Sequence, residues 1–344
     1  MVNVATGFAY KPQSDLLTSI SHGNGLVTSA GYDLDYRLTS LNVLDGAALV
    51  SGRGFAYADG LNLTGITDAV TPANSNVLSY SPANRLASAS GAWGADSFTY
   101  DGVGNRLSDV TASLNRQSTY ALTSNRLNSM TQNGAAFRSY TYDGAGNTLT
   151  ETRPGESFAY TYNKRNRLAS VTRNTVAYGT YVYNALEQLA SRSSTAAGAP
   201  IGVVHYIYDR DGHLIAEATG STGATTRDYI WLPSNDNNND TYTDDLLADN
   251  DNAAIDLPLA VAEAATLYTI HTDHLGRPLR MTNGAKATVW QAVWKPWGEV
   301  QSISGTTTNN LRFPGQYFQI ETNLAHNWHR TYDPVTGRVT EELR

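Results

Sequence analysis

The sequence predicts an all-β protein in which repeated β-hairpins form one curled or spiralling sheet. Three observations carry this prediction. The phrase FTYDGVGNRLSDV at residues 98–110 returns as YTYDGAGNTLTET at 140–152 and as YTYNKRNRLASV at 160–171. Within each copy, two aromatic residues stand two positions apart, and a turn signal rich in Gly, Asn and Asp follows them. Alternation bounded by turn residues is typical of β-hairpins, and its recurrence indicates a repeat architecture.

The spacing of the copies defines a two-stranded unit. A tyrosine that ends an aromatic pair or opens a turn marks each unit, and successive anchors are separated by 20 to 25 residues. The predicted anchors are Tyr10, Tyr32, Tyr57, Tyr80, Tyr100, Tyr120, Tyr142, Tyr162, Tyr183 and Tyr208. Because an isolated hairpin is marginally stable in water, about ten of them must stack side by side. A sheet of that length is expected to curl, since strands twist and open edges invite aggregation.

Each unit reads as a strand, a turn and a strand. Residues two positions apart lie on one face of a strand, so Phe98 and Tyr100 should share a face. The Asp-Gly pairs should supply the positive φ that a tight hairpin turn requires, and a second Gly and an Asn should complete the reversal. The predicted turn residues are Asp101, Gly102, Gly104, Asn105, Asp143, Gly144, Gly146 and Asn147. An Arg-Leu pair then often opens the next strand, and we expect its arginine to cap or stack on the aromatic rings.

The aromatic stripe has two interpretations. Cross-strand packing demands regular repetition, which favours a structural ladder of rings. The alternative is a platform on which sugars stack, as in a carbohydrate-binding or adhesion module.

Composition excludes several classes of function. The net charge is −7 and the pI is near 5.5, which argues against an electrostatic nucleic-acid binder. The absence of cysteine excludes disulfides, thiolate metal sites and a cysteine nucleophile. No apolar run is long enough to span a membrane, and no signal peptide is visible at the start. Because GFAY at residues 7–10 already looks like part of the repeat, we expect the chain to be a segment of a larger polypeptide.

An insert rich in Asp and Asn occupies residues 233–255. Carboxylate and amide oxygens suit Ca²⁺, and the candidate ligands are Asp236, Asp240, Asp244 and Asp245. However, the insert has neither the glycine nor the closing glutamate of an EF-hand loop. We therefore favour a solvated loop over a calcium site.

The residues that follow offer histidines and tryptophans. His271, Asp273 and His274 could bind zinc, with His326 and His329 as further ligands only if the fold brings them near. We favour structural histidines. Three tryptophans lie close together in the sequence, at Trp290, Trp294 and Trp297. A solvent-exposed loop would not carry so many large rings, so they indicate a plug or cap for the apolar interior of the sheet. No GxSxG, HExxH, Walker or dinucleotide motif is present, so the sequence predicts neither an enzyme nor a cofactor.

These segments together resemble the Rhs/YD-repeat family. The resemblance rests on YDGVGNRL, YDGAGNTL and YIYDRDGHLIAE, and on the ordered series HTDHLGRP, VWQAVWKPWGE, LRFPGQYF and YDPVTGR. It implies hairpins that spiral into a hollow cocoon, closed by a core-associated segment that curls inward as a plug. It also implies a relation to bacterial polymorphic toxins, to insecticidal toxin complexes and to teneurins. The plug residues so implied are Asp273, His274, Gly276, Trp290, Trp294, Pro296, Trp297, Gly298, Phe313, Pro314, Gly315, Tyr332, Asp333, Pro334, Gly337 and Arg338.

Two departures from the family pattern matter. The DPxG segment that contributes to self-cleavage is absent, and Asp333 lies upstream of its place, so we do not expect self-cleavage. The insert also interrupts a junction that is usually short. We predict hairpin repeats at 1–232, the insert at 233–255 and the plug at 256–344.

The predicted function is a non-catalytic shell module that encloses or caps a C-terminal passenger. Its partners would be the rest of a parent polypeptide or its toxin, or glycans under the alternative interpretation, but not nucleic acid. The parent would be an exported bacterial protein, secreted or at the cell surface.

Overall fold

The computed structural model describes residues 3–14, 16–58, 62–200, 202–232 and 257–341. Within these residues it contains thirty β-strands and one 3-10 helix at Pro72–Asn74. The first fifteen strands are β1 Ala5–Tyr10, β2 Leu17–His22, β3 Val27–Tyr32, β4 Leu38–Asp45, β5 Ala48–Tyr57, β6 Leu63–Asp68, β7 Asn76–Tyr80, β8 Leu86–Gly91, β9 Gly94–Tyr100, β10 Arg106–Val110, β11 Asn115–Tyr120, β12 Leu127–Gln132, β13 Ala135–Tyr142, β14 Thr148–Arg153 and β15 Glu156–Tyr162. The others are β16 Leu168–Arg173, β17 Val176–Tyr183, β18 Leu189–Ser194, β19 Val203–Tyr208, β20 Leu214–Thr219, β21 Thr225–Trp231, β22 Pro258–Glu263, β23 Thr266–Thr272, β24 Pro278–Thr282, β25 Thr288–Trp294, β26 Val300–Gly305, β27 Gln316–Gln319, β28 Leu324–Asn327, β29 Arg330–Asp333 and β30 Arg338–Val339.

Strands β1 to β26 form one antiparallel sheet in which each strand pairs with the next along the chain. Sequential pairing of this kind follows from short turns between strands of similar length. It confirms the predicted all-β fold of repeated hairpins. No pairing joins β1 to β26 within the described residues, so the sheet is not closed by hydrogen bonds.

A bulge recurs near one end of the hairpins and bends the sheet. In the β15–β16 hairpin, Thr161 pairs with Ser170 but Tyr162 pairs with Leu168, so one residue of β16 is left without a partner. The same shift precedes Tyr142, Tyr183 and Tyr208. Because a bulge increases the local twist and bends its strand, repeating it at one rim makes the sheet curl.

The curl brings the first strands against the last. The ring centroids of His22 on β2 and His271 on β23 lie 5.1 Å apart, and those of Phe55 and His274 lie 5.2 Å apart. The Asn24 side chain also donates a hydrogen bond of 3.0 Å to Thr282, across 258 positions of sequence. The sheet therefore completes about one turn of a spiral.

After Gly305 the chain leaves this sheet. Residues 306–341, which we call the interior segment, carry the four-stranded sheet β27–β30. Its side chains contact wall strands from β10 to β20, which is possible only if the large sheet curves around it. Leu311 and Tyr317 of this segment join the buried core that Tyr160, Tyr181 and other inward aromatics form.

The structure differs from two details of the sequence-based prediction. Strands β22–β26 continue the sheet, since Tyr229 on β21 pairs directly with Val261 on β22, so the chain turns inward after residue 305 and not at 256. Half of the predicted plug residues therefore belong to the wall and its turns. These are Asp273, His274, Gly276, Trp290, Trp294, Pro296, Trp297 and Gly298. The others lie in the interior segment: Phe313, Pro314, Gly315, Tyr332, Asp333, Pro334, Gly337 and Arg338.

The second difference concerns the turns. Positive φ values occur at Gly104 (103°) and Gly146 (90°), not at Gly102 or Gly144. The turn has five residues between its strands, and the left-handed residue is the fourth, so the first glycine does not supply the positive φ.

Candidate functional site: the interface inside the curled sheet

Aspartate side chains fix turns along one rim of the sheet by accepting hydrogen bonds from the turn backbone. The carboxylate of Asp101 accepts hydrogen bonds from the backbone N–H groups of Val103, Gly104 and Asn105 at 2.8–3.0 Å. The Asn105 side chain donates to the same carboxylate at 2.7 Å, and this bond, with the backbone bonds, lowers the pKa of Asp101. Asp143 and Asn147 repeat the arrangement. Where an Asp follows an anchor Tyr it thus stabilises a turn, as Asp33 and Asp209 also do.

The anchor tyrosines connect neighbouring hairpins. The hydroxyl of Tyr142 donates a hydrogen bond of 2.7 Å to the carbonyl of Leu127. Leu127 is the first residue of β12, the strand that precedes the one ending at Tyr142. Equivalent bonds of 2.8–3.0 Å are made by Tyr32, Tyr57, Tyr80, Tyr100, Tyr120, Tyr162 and Tyr208. Trp231 and Trp294 take the same place through their indole nitrogens, which donate to Leu214 and Pro278. The anchor series thus extends to β25.

Arginines stack on the anchors as expected. The guanidinium of Arg85 lies 5.8 Å from the ring centroid of Tyr100, and that of Arg126 lies 5.6 Å from Tyr142. Tyr162, Tyr183 and Tyr208 also pack against the buried core. These rings are used in packing, with their polar tips bound to backbone.

Charged side chains line the inner face of the sheet and bind the interior segment. Arg138 on β13 donates to Asp333 at 2.6 Å and lies 3.0 Å from Glu151. Glu151 in turn accepts from Arg153 at 2.8 Å and from Tyr160 at 2.9 Å. Burial opposes the charged form of Arg138, but Asp333 and Glu151 outweigh it and raise the pKa of Arg138. The group is a buried charge network in which each carboxylate has a cationic partner.

A second attachment is an isolated buried ion pair. Glu321 of the interior segment accepts hydrogen bonds from Arg192 at 3.2 Å and from the Tyr181 hydroxyl at 2.7 Å. The side chains of Arg192 and Glu321 are 2% and 0% exposed. Because a charge in this environment depends on its partner, the pair holds residue 321 against β17 and β18.

The remaining contacts continue around the segment. Glu217 on β20 accepts hydrogen bonds from Tyr229 at 2.5 Å and from Tyr317 of the interior segment at 2.9 Å. At the other end, Arg338 donates to Asn105 at 3.0 Å, and the guanidinium of Arg106 donates to the carbonyl of Val335.

The last described residue is also held inside. Glu341 accepts hydrogen bonds from the backbone N–H of Thr331 at 2.6 Å and from its hydroxyl at 3.0 Å. Burial raises the pKa of Glu341 to about 7. The described part of the chain therefore ends at a buried residue.

Among the described residues, the candidate zinc ligands His271, Asp273, His274, His326 and His329 do not form a group of three within ligating distance. His271 packs on His22, and His326 lies 6.0 Å from Tyr183, measured between ring centroids. In the described part of the chain, a group of three potential ligand atoms within 4.8 Å of one another occurs at Asp209, Asp211 and His213. There the Asp209 carboxylate accepts a hydrogen bond from the backbone N–H of His213 at 2.8 Å and lies 3.0 Å from the ring nitrogen Nδ1 of the same residue. The calcium candidates Asp236, Asp240, Asp244 and Asp245 lie outside the described residues.

Sequence reasoning missed the inward charges Arg116, Arg138, Arg192 and Glu217. A signal for two of them was available, because Arg116 and Arg138 precede their anchor tyrosines by four positions and so lie on the anchor's face. The pairing of Arg138 with Asp333 and of Arg192 with Glu321 in the interior segment gave no such signal.

Comparison with known proteins places this architecture. The family model described as Teneurin YD-shell matches residues 66–342. Double-stranded DNA deaminase toxin A of Burkholderia cenocepacia is 27% identical over 350 residues, covering 96% of this chain and 24% of that protein. Toxin protein Tse5 of Pseudomonas aeruginosa is 35% identical over 83 residues, covering 24% of this chain and 6% of Tse5.

Solved structures share the fold. The crystal structure of TcdB2-TccC3-TEV superposes with a TM-score of 0.73 at 14% identity, covering 98% of this chain and 18% of that one. The Photorhabdus luminescens Tc holotoxin pore gives 0.73 at 15% identity, with 99% and 18% coverage. This chain thus spans a quarter or less of the length of these relatives. Among the residues that the structure describes, no helix has the length and apolar character needed to cross a membrane. The chain belongs to the Teneurin YD-shell family and is homologous to toxin proteins of the Rhs type, which confirms the resemblance drawn from its repeats.

Proposed function

We propose that this chain is a structural shell module that caps a polypeptide passenger within a larger toxin protein, without catalysis of its own. One observation carries the proposal. The interior segment occupies the concave side of the sheet, and its last described residue, Glu341, is 3% exposed and bound to Thr331. A chain that continues beyond this point would start from inside the curl.

The buried ion pairs support a capping role. Asp333 and Glu321 lie 195 and 129 positions from their partners Arg138 and Arg192. Withdrawing the segment would leave charges of both signs unpaired, which is costly in a desolvated interface. The segment is thus fixed in place as a plug.

The relatives support a larger parent. Proteins described as toxins match this chain over a minor part of their length. In the described part of the sheet, the outer edge of β1 has no strand partner, and such an edge can accept further hairpins of a longer shell. We propose the rest of that polypeptide as the partner, in a protein that is exported by a bacterium and secreted or held at the cell surface.

Glycan binding finds no supporting observation. The hydroxyls of eight of the ten anchor tyrosines bond to backbone carbonyls, and rings such as those of Tyr162 and Tyr142 pack on the core or under an arginine. These faces and tips are the groups that a sugar platform would need to present to solvent.

The test is a tethered cleavage site. A flexible peptide with one site for a specific protease is fused after Arg344, with the site 5, 15 or 40 residues from the junction. Capping predicts slow cleavage at 5 residues and fast cleavage at 40. The variant Glu321→Ala should raise the rate at the short distance, whereas the rim variant Arg85→Gln should not. Equal rates at all three distances in the unmodified chain would contradict the proposal.

A further inference from the structure

A cavity of about 110 Å³ lies where the first strands of the spiral meet the last. Strands β2 to β5 form one side and β22 to β24 the other, so the cavity exists only because the sheet curls on itself. Most of its lining is apolar, and the side chains include Ile20, Leu41, Val43, Leu259, Ile270 and Leu279.

Four buried nitrogens of residues that line this cavity have no hydrogen-bond partner among the described residues. They are His22 Nδ1, Arg53 Nε, His271 Nδ1 and His274 Nδ1. The other ring nitrogens of two of these histidines are fixed, since His22 Nε2 lies 2.7 Å from the Thr28 hydroxyl and His271 Nε2 lies 2.9 Å from Thr282. Because buried polar atoms are nearly always paired, this concentration of unpaired nitrogens points to a polar occupant.

The charge around the cavity favours an anion. Arg53 approaches its nearest carboxylate, Asp68, only to 3.7 Å. The carboxylate of Asp273 is already bound by Arg277 at 2.8 and 3.0 Å. Arg53, Arg277 and Arg280 exceed Asp68 and Asp273 by one positive charge. Burial lowers the pKa of His22 to about 4 and that of His271 well below 6.5, so at neutral pH the arginines supply the charge.

We propose that this cavity binds a small monocarboxylate whose apolar body has about two or three carbons. The carboxylate would lie at Arg53 and the histidine nitrogens, and the body would pack among the leucine and isoleucine side chains. The size follows from the volume of about 110 Å³. Because an apolar cavity of about 150 Å³ holds benzene, with six carbons, this smaller cavity has room for about four carbons in all. An apolar cavity with a few convergent polar groups is the usual form of a small-molecule site.

The experiment measures binding of butyrate to the full chain by calorimetry and by the shift of its thermal midpoint. Butan-1-ol has a body of similar size without the charge, and formate has the charge without the body. We expect butyrate to bind and to raise the midpoint, with at least tenfold weaker binding of the other two. Octanoate should also bind at least tenfold more weakly, because it exceeds the cavity.

Two variants locate the site. Arg53→Gln should weaken butyrate binding at least tenfold, and Arg85→Gln, on the rim outside the cavity, should leave it unchanged. If Arg53→Gln fails to fold, Ala30→Leu decides, since it fills the cavity without changing charge and should abolish binding. The proposal is overturned if butyrate gives neither heat nor a midpoint shift, which would leave water as the occupant. Equal binding of butyrate and butan-1-ol, or unchanged binding in Ala30→Leu, would also overturn it.

Discussion

Replacing Arg192 should loosen the interior segment, because it leaves Glu321 buried without its cation. The two side chains are 2% and 0% exposed, and their charged atoms lie 3.2 Å apart. Removing one partner of a buried ion pair costs about 3–5 kcal/mol. The Tyr181 hydroxyl still donates to Glu321 at 2.7 Å, so we expect Arg192→Met to cost about 3 kcal/mol, at the lower end of that range.

A double-mutant cycle separates the pair from general damage. Glu321→Gln keeps an acceptor for Tyr181 but removes the charge. The double variant Arg192→Met/Glu321→Gln contains no unpaired charge, so it should be more stable than the sum of the single effects predicts by about 2 kcal/mol.

The assay combines urea unfolding with hydrogen exchange of peptides from residues 306–341. Arg192→Met should speed exchange there more than in β3 to β8. The control is Arg165→Met, which removes an exposed partner of Glu187 and should cost less than about 1 kcal/mol. Unchanged exchange of the interior segment in Arg192→Met, or strictly additive effects in the cycle, would refute the reasoning.

Three further predictions concern the wall. Tyr142→Phe removes the hydrogen bond to Leu127 and should lower the free energy of unfolding in urea by about 1 kcal/mol, and no change would show that the bond is not needed. Asp101→Ala removes the acceptor of three backbone N–H groups, so it should lower the urea midpoint more than Asp101→Asn, which keeps one acceptor oxygen. Equal midpoints would show that these hydrogen bonds do not stabilise the turn. Burial and the neighbouring Asp109 raise the pKa of Asp96 to about 7. Between about pH 4 and pH 7 the folded state therefore keeps a proton on Asp96 that the unfolded chain has already released, so the free energy of unfolding falls as the pH rises through this interval. Asp96→Asn lacks this titration, so its stability relative to the wild type, measured by urea unfolding, should increase from pH 5 to pH 8. A stability difference that does not change with pH would show that Asp96 does not carry the proton.

The hairpins were predictable because their signals are local. Alternating aromatics such as Phe98 and Tyr100, followed by Asp101 and a glycine, define strand, face and turn within a dozen residues. The position of the positive φ was not predictable, because it falls on the fourth of the five turn residues, and Gly102 and Gly104 both fit the sequence pattern.

The sequence-based prediction placed the inward turn at residue 256, before its true position after Gly305, because the repeat has no tyrosine at its anchor position beyond Tyr208. The alternation itself continues, and Tyr229 with Trp231 and Ala292 with Trp294 repeat the same geometry with tryptophan as anchor. The ion pairs of Arg138 with Asp333 and of Arg192 with Glu321 join residues 195 and 129 positions apart, and no local pattern encodes such a pairing.

The central claim is that residues 306–341 lie inside the curled sheet. The chain has no cysteine, so single cysteines can report on this directly. Ala325 on β28 is 3% exposed, whereas Ala135 at the start of β13 is exposed, and both changes to cysteine are small. We predict that a water-soluble maleimide modifies Ala325→Cys on the order of 100-fold more slowly than Ala135→Cys in the folded protein, and at the same rate in urea. Similar rates in two folded variants would show that the segment is not enclosed.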